Sequence, residues 1–244
     1  MDEPETQRRR AGRFRRANDR YFLVILLLFL SLLIMAVAGD NDVGRGVALV
    51  VLALTLLVTF RTSEWPLRLR SVVAWAAVAV VLVVVVVILA GGDEVGRAAA
   101  ATVGLCLVVA AVAAIVKRLA SHPEISFRTV MGALCIYLYF ILFFSQLYVL
   151  VDALAAKPFF AQTDHPQTVT FIYFSMITLA TVGYGDFTSA LDVGRVLAGI
   201  EGLVGQLYLV SVVALLVGNI GGKLQRPRMS SEDDETPGEQ VRDD

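Results

Sequence analysis

Thr181-Val182-Gly183-Tyr184-Gly185 is the stretch whose residue types and spacing carry chemistry. It offers five successive peptide carbonyls and the Thr181 hydroxyl, with glycines two residues apart. A glycine enters backbone conformations that a Cβ closes to other residues. The run can therefore alternate in conformation residue by residue, which turns successive carbonyls to one side. A ring of such carbonyls, supplied by several chains, can replace the water shell of a desolvated potassium ion. Asp186 follows directly, Thr178 precedes Thr181 by three, and Tyr173 and Phe174 form an aromatic pair upstream. The same Gly-Tyr-Gly-Asp run could also be no more than a tight connection, so the flanking elements decide its weight.

Those elements are apolar on both sides. A short segment, Thr168–Leu179, precedes the run and a long one, Val196–Val217, follows it. Pro166 suits the first turn of the short helix, with Thr163 or Asp164 as a candidate cap. Five further apolar runs lie upstream: Tyr21–Ala38, Val47–Phe60, Ser71–Ala90, Ala98–Val116 and Val130–Val151. Most are long enough for a hydrocarbon core of ~30 Å. Tyr21–Ala38 with its Ala36-Val37-Ala38 ending mimics a cleavable signal peptide, but it exceeds the usual apolar core of ~7–15 residues, so a retained span is expected. Val47–Phe60 is short, and a helix starting at Val43 with Arg45 reaching the head-groups lengthens it. The valine-rich Ser71–Ala90 would suggest a strand in water, yet its length decides for helix. The small residues of Ala98–Val116 suit close helix packing.

The expected fold is an all-α polytopic membrane protein. It has six transmembrane helices, with a short re-entrant helix and loop between the fifth and sixth. The expected segments are a basic N-terminal stretch (1–20), a four-helix bundle (21–116), a linker (117–129), a C-terminal module (130–222) and a polar, acidic tail (223–244) read as disordered.

At 57% hydrophobic residues, the chain is apolar beyond a soluble globular protein, and its charges gather in the connections and at both ends. Seventeen of its 21 lysines and arginines fall in 1–20, 61–70, 117–128 and the tail; the other connections hold only Arg45, Arg97, Lys157 and Arg195. That asymmetry puts both termini in the cytoplasm, with the spans in the cell membrane, and an even number of spans agrees. The arginines of residues 1–20 abut a span, so they read as topology and not as a nucleic-acid surface. Cys106 and Cys135 both lie in apolar runs and read as small buried hydrophobes without a disulfide framework. No metal-ligand cluster, nucleotide loop or nucleophile–base pair marks an enzyme. Asp42-Val-Gly-Arg45, Glu94-Val-Gly-Arg97 and Asp192-Val-Gly-Arg195 each precede an inward-running span. There the acid complements a helix start and the arginine can reach the outer head-groups.

The run from Thr181 to Gly185 matches the TVGYG filter of the potassium-channel family at every position, and Asp186 follows as in many members. The chain resembles that family over about Val130 to Gly222; the first four spans match it only in number and layout. The resemblance implies that the fifth span, short helix, loop and sixth span form one quarter of a pore, closed by a homotetramer in the lipid bilayer. K+ is then the permeant ion, and no cofactor is implied. Thr181 would coordinate it through hydroxyl and carbonyl, and Val182, Gly183 and Tyr184 through carbonyls, with Gly183 and Gly185 permitting the twist. Thr178, Tyr173, Phe174 and Asp186 would support the loop. The C-terminal end of the short helix would favour a cation in the central cavity.

Two residues of the sixth span are gating candidates. Gly205 aligns with the glycine where relatives bend, although Gly199, Gly202 and Gly218 compete and a membrane-helix glycine is often a packing site. Glu201 is an intramembrane acid, costly and so a functional candidate, or else a hydrogen-bonding group behind the filter. Its change to Gln is expected to alter open probability or conductance. Ile177 stands where some bacterial relatives carry a glutamate paired to the filter aspartate, so that pairing is impossible here.

Six spans ending in a pore resemble voltage-gated relatives, but Ala98–Val116 lacks the arginines at every third position that a voltage sensor needs. The tail is too short for the ligand-binding domains that gate others. Pro123 makes a continuous helix across Lys117–Arg128 doubtful. His122 and His165 could titrate near neutrality. The expectation is a potassium-selective channel subunit without a conventional voltage sensor. Its rivals are a weakly selective cation channel, against which Tyr184 speaks, and a non-conducting accessory or scaffold protein with a vestigial pore.

Overall fold

A computed structural model describes residues 22–34, 37, 42–62, 82, 93–121 and 127–224. Within them lie six helices: α1 (Phe22–Ile34), then α2 (Asp42–Thr62), α3 (Asp93–Ala120), α4 (Phe127–Leu154), α5 (Thr168–Leu179) and α6 (Asp192–Leu224). The described residues form no strand, only an isolated antiparallel bridge between Phe160 and Ser189. Val95–Lys117, Thr129–Leu154 and Asp192–Leu215 are long and apolar enough to cross a membrane. Segment 1–20, the expected span Ser71–Ala90 apart from Leu82, Pro123, and the tail from 225 lie outside the described residues.

The helices outrun the apolar runs that signal them. α2 begins at Asp42, one residue from the expected Val43, which brings the short second run to 21 residues. α6 extends four residues before Val196 and seven beyond Val217, and at 33 residues it is about 50 Å long. Asp192 stands in its first turn, where an acid complements the amide-rich end.

The helices pack in sequence order: α2 on α3, α3 on α4, and α4 on both α5 and α6, with α5 held between α4 and α6. Small side chains make the α3–α4 approach possible, since Ala111 and Ala114 are buried beside Cys135, Tyr139 and Leu142. This core also takes in Leu28 of α1, Leu52 and Leu56 of α2, and Leu179 at the end of α5. Cys135 is buried as expected, but Cys106 lies on the exposed face of α3. Hydroxyls inside the helices satisfy themselves on backbone one turn back: Thr55 donates to the Val51 carbonyl and Thr59 to that of Thr55. Thr59 also meets the Tyr139 hydroxyl at 3.0 Å, tying α2 to α4.

A second cluster gathers Phe144, Tyr148, Phe159, Phe160, Phe171 and Phe174 between the C-terminal end of α4, the loop that follows it, and α5. Many of its rings meet edge to face, the arrangement favoured by the ring quadrupole. Two of the arginines expected near the head-groups are bonded within the protein. Arg97 of α3 donates to Asp152 Oδ2 of α4 at 2.8 Å, while Asp152 Oδ1 accepts the Phe159 amide at 2.9 Å. Arg195 donates to the Ser189 carbonyl and to Asp192. The Asp152 carboxylate that takes Arg97 is nearly buried, whereas the Arg195 side chain stays largely exposed. The Arg45 side chain lies outside the described residues.

Asp152 thus joins α3, α4 and the first residues of the aromatic cluster. Arg97→Ala leaves its buried carboxylate with a single donor and is expected to lower stability by about 2 kcal/mol. The thermal midpoint of the detergent-solubilised chain reads this, and a midpoint equal to wild type would exclude the clamp.

Candidate functional site

The site begins where α5 stops. α5 starts at Thr168, two residues after Pro166, because Gln167 is extended (φ −81°, ψ 157°) and leaves the proline outside the helix. No side chain caps it, so neither Thr163 nor Asp164 plays that part; the Thr163 hydroxyl instead accepts the His165 amide at 3.3 Å in a local turn. His165 is exposed in that turn, and His122 lies outside the described residues.

At the other end, Ala180 is still right-handed while Thr181 turns left-handed at φ 55°. The Thr181 amide then donates to the Thr178 carbonyl at 3.0 Å, and Val182 donates back to Ile177 at 2.8 Å. This pair of bonds is the Schellman stop of a helix, usually built on glycine. A side chain in that conformation costs roughly 1–2 kcal/mol, which the two closed bonds offset. The Ile177 carbonyl also accepts the Gly183 amide at 3.2 Å, so the helix stop and the loop share one acceptor.

Beyond it the backbone alternates. Positive φ recurs at Thr181, Gly183 (54°) and Gly185 (77°), with Val182 and Tyr184 between them at negative values. A Cβ on Gly183 or Gly185 would meet nothing within 4 Å, so conformation and not crowding requires glycine there. The run is exposed along one side, Val182 at 50% and Tyr184 at 71%.

The supporting residues stand around this loop. Asp186 accepts a hydrogen bond from the Tyr173 hydroxyl at 2.7 Å, so α5 does hold the acid, but through tyrosine and not through position 177. The Ile177 side chain is buried, and it lines a cavity of about 500 Å³ with Phe174, Thr178, Phe187 and Ala198. Phe174 faces Tyr148, Phe159 and Phe160. Past the loop, Ala161 donates to Thr188 and Ala190 to Phe159, and the Gln162 amide group brackets Thr188 through both its atoms. The chain leaving the loop is thereby fixed to the chain entering α5.

Gly205 and Glu201 lie behind α5 and not at the loop. An ideal Cβ on Gly205 would stand 2.5 Å from the Leu179 carbonyl oxygen, whereas Gly199 and Gly218 face open space and Gly202 has ordinary room. Gly205 is therefore a close-approach site on an unbroken helix. The Leu179 carbonyl also accepts from Tyr137, and Tyr208, one turn after Gly205, donates to the Ala133 carbonyl at 2.7 Å. Glu201 is fully buried; its Oε2 accepts from Tyr148 at 2.6 Å and its Oε1 lies 2.5 Å from Ser175 Oγ.

Ser175, Tyr148 and Tyr137 escape a reading based on motifs. A buried acid needs hydroxyl donors, and a serine inside the apolar α5 is the signal that could have pointed to one of them.

Residues 134–220 match the model of a family described as ion channel. The matched stretch runs from the second turn of α4 to near the end of α6 and includes every residue of the loop. No curated protein matches the chain. Over these residues the chain is similar to ion channels, and its long apolar helices are those of a membrane protein.

Gly205→Ala forces the α6 backbone away from Leu179 and is expected to cost about 1–3 kcal/mol, as overpacking does. Gly199→Ala, facing open space, should cost little or stabilise the helix. Thermal midpoints of the two variants test this, and equal values would refute the close approach.

Proposed function

We propose that this chain is one subunit of a potassium-selective channel, conducting K+ passively through a pore closed by four copies. The observation that carries the reading is the alternation of backbone hand at Thr181, Gly183 and Gly185, anchored at its inner end by the Ile177 carbonyl. That alternation is what aims successive carbonyls at a common line. Thr181, Val182, Gly183 and Tyr184 would then bind K+, with the Thr181 hydroxyl adding a ligand at the inner end.

Two features support several copies. Non-helical backbone at membrane depth is tolerated only where protein buries it or a water-filled path runs along it. In one chain the loop is exposed on a side that nothing covers. α6 extends the same need, presenting Val193, Val196, Ile200, Leu203, Leu207 and Val210 outward at alternating spacings of three and four. The match to ion channels supports permeation, and the intact Tyr184 favours K+ over a weakly selective pore. Within α3 the bases Arg97, Lys117 and Arg118 lie near the ends, which leaves no ladder of charge for a conventional voltage sensor.

In a planar bilayer with potassium on one side and sodium on the other, the purified chain is expected to give a strongly potassium-shifted reversal potential. Gly183→Ala puts a Cβ at φ 54°, a cost of roughly 1–2 kcal/mol in each copy. It should abolish the shift or the current. A robust wild-type current reversing near zero would overturn potassium selectivity, and a mass other than four chains in detergent would overturn the tetramer.

A further inference from the structure

Ser175 has one hydroxyl hydrogen and two oxygen neighbours. One is Glu201 Oε1; the other is the Ile141 carbonyl oxygen of α4, 3.0 Å away, which can only accept. The Tyr148 hydroxyl hydrogen points at Glu201 Oε2. If Glu201 were ionised, one of the two contacts of Ser175 would lack a hydrogen, and a charge would sit fully buried. Among the described residues no lysine, arginine or histidine pairs with it. Placing a proton on Oε1 resolves both problems. Glu201 then donates to Ser175, Ser175 donates to Ile141, and Tyr148 donates to Oε2, so every hydrogen in the chain of bonds has an acceptor.

We propose that Glu201 holds its carboxyl proton and acts as a neutral hydrogen-bond hub, a positioning residue that joins α6 and α4 to α5 behind the loop. Ser175 lies two residues before Ile177, whose carbonyl holds the Val182 and Gly183 amides. The hub therefore sets the helix from which the loop hangs. Its importance for conduction rests on the channel reading above; its protonation does not.

A neutral glutamic acid has a close mimic. In Glu201→Gln the amide oxygen accepts from Tyr148 and the amide nitrogen donates to Ser175. The substitution that the sequence marks as disruptive is thus the conservative one.

The experiment is infrared difference spectroscopy of the full chain in lipid vesicles at neutral pH, wild type against Glu201→Gln. The expected result is a protonated-acid carbonyl band in wild type that is lost in the variant and moved by Ser175→Ala, which removes the acceptor. Carboxylate bands in its place would overturn the proposal. Thermal midpoints give a second reading: Glu201→Gln should match wild type while Glu201→Ala falls well below it. A Gln variant that falls as far as Ala, or fails to fold, would also overturn it. Neither measurement requires current, so a failure here is separable from a failure of the channel reading.

Discussion

The carbonyl oxygen of Ile177 is the point on which the loop depends. It closes the last turn of α5 through Val182 and then accepts Gly183 as well, so the stop of a helix and the first residues of the loop are one hydrogen-bonded unit. The left-handed Thr181 makes this possible and is the one described non-glycine residue with positive φ. Each such bond contributes about 1 kcal/mol net, enough together to hold a threonine where glycine would be relaxed. Threonine adds a hydroxyl, which a glycine at the same turn would not supply. Strain and hydroxyl therefore sit on the same residue.

An anchored start is not sufficient, since nothing lies within 4 Å of where Gly183 and Gly185 would carry a Cβ. The conformation of these glycines is therefore set by the bonds at the ends of the loop and not by crowding along it. The C-terminal end is fixed by Tyr173 on Asp186 and by the pairing of residues 159–162 with 188–190. Behind it, the phenylalanine cluster resists compression because close-packed interiors deform little. Asp152 carries that rigidity further, to α3 through Arg97 and to the cluster through the Phe159 amide. The bundle preceding the pore-like module is thus tied mechanically to the loop's surroundings.

Much of this was legible in the residues. The loop, the aromatic pair, the short helix and the long last helix follow from glycine spacing and apolar runs, and Thr168–Leu179 is helical over the range its composition marks. Helix ends were less legible, because α6 recruits Asp192 to Arg195, which hydropathy counts as connection. Pro166 misleads for a related reason: proline fits a first turn, but the extended Gln167 defers the helix by two residues. The Val-Gly-Arg repeats show the limit of local reasoning. An arginine beside a span can reach the head-groups or a buried partner, and only the fold brings Asp152, 55 residues away, to Arg97.

The same limit applies to Glu201 and Gly205, where chain position suggests gating and packing gives the content. Both contact α5, one at Ser175 and the other at Leu179, about one turn apart on each helix. α6 therefore meets the loop's supporting helix through a hydrogen bond and a backbone approach in register. Movement of α6 that keeps both contacts must carry α5 with it, and movement that breaks one exposes either a buried polar group or a gap. The contacts of α6 are thus divided: Glu201 and Gly205 hold α5, while Tyr208, one turn on, donates to the Ala133 carbonyl of α4 at 2.7 Å. The neutral acid suits this division: it keeps its hydrogen bonds without the several kcal/mol that an unpaired buried charge would cost. The stretch of α6 from Glu201 to Tyr208 then belongs to the scaffold of the loop, tied to α5 and to α4 in turn.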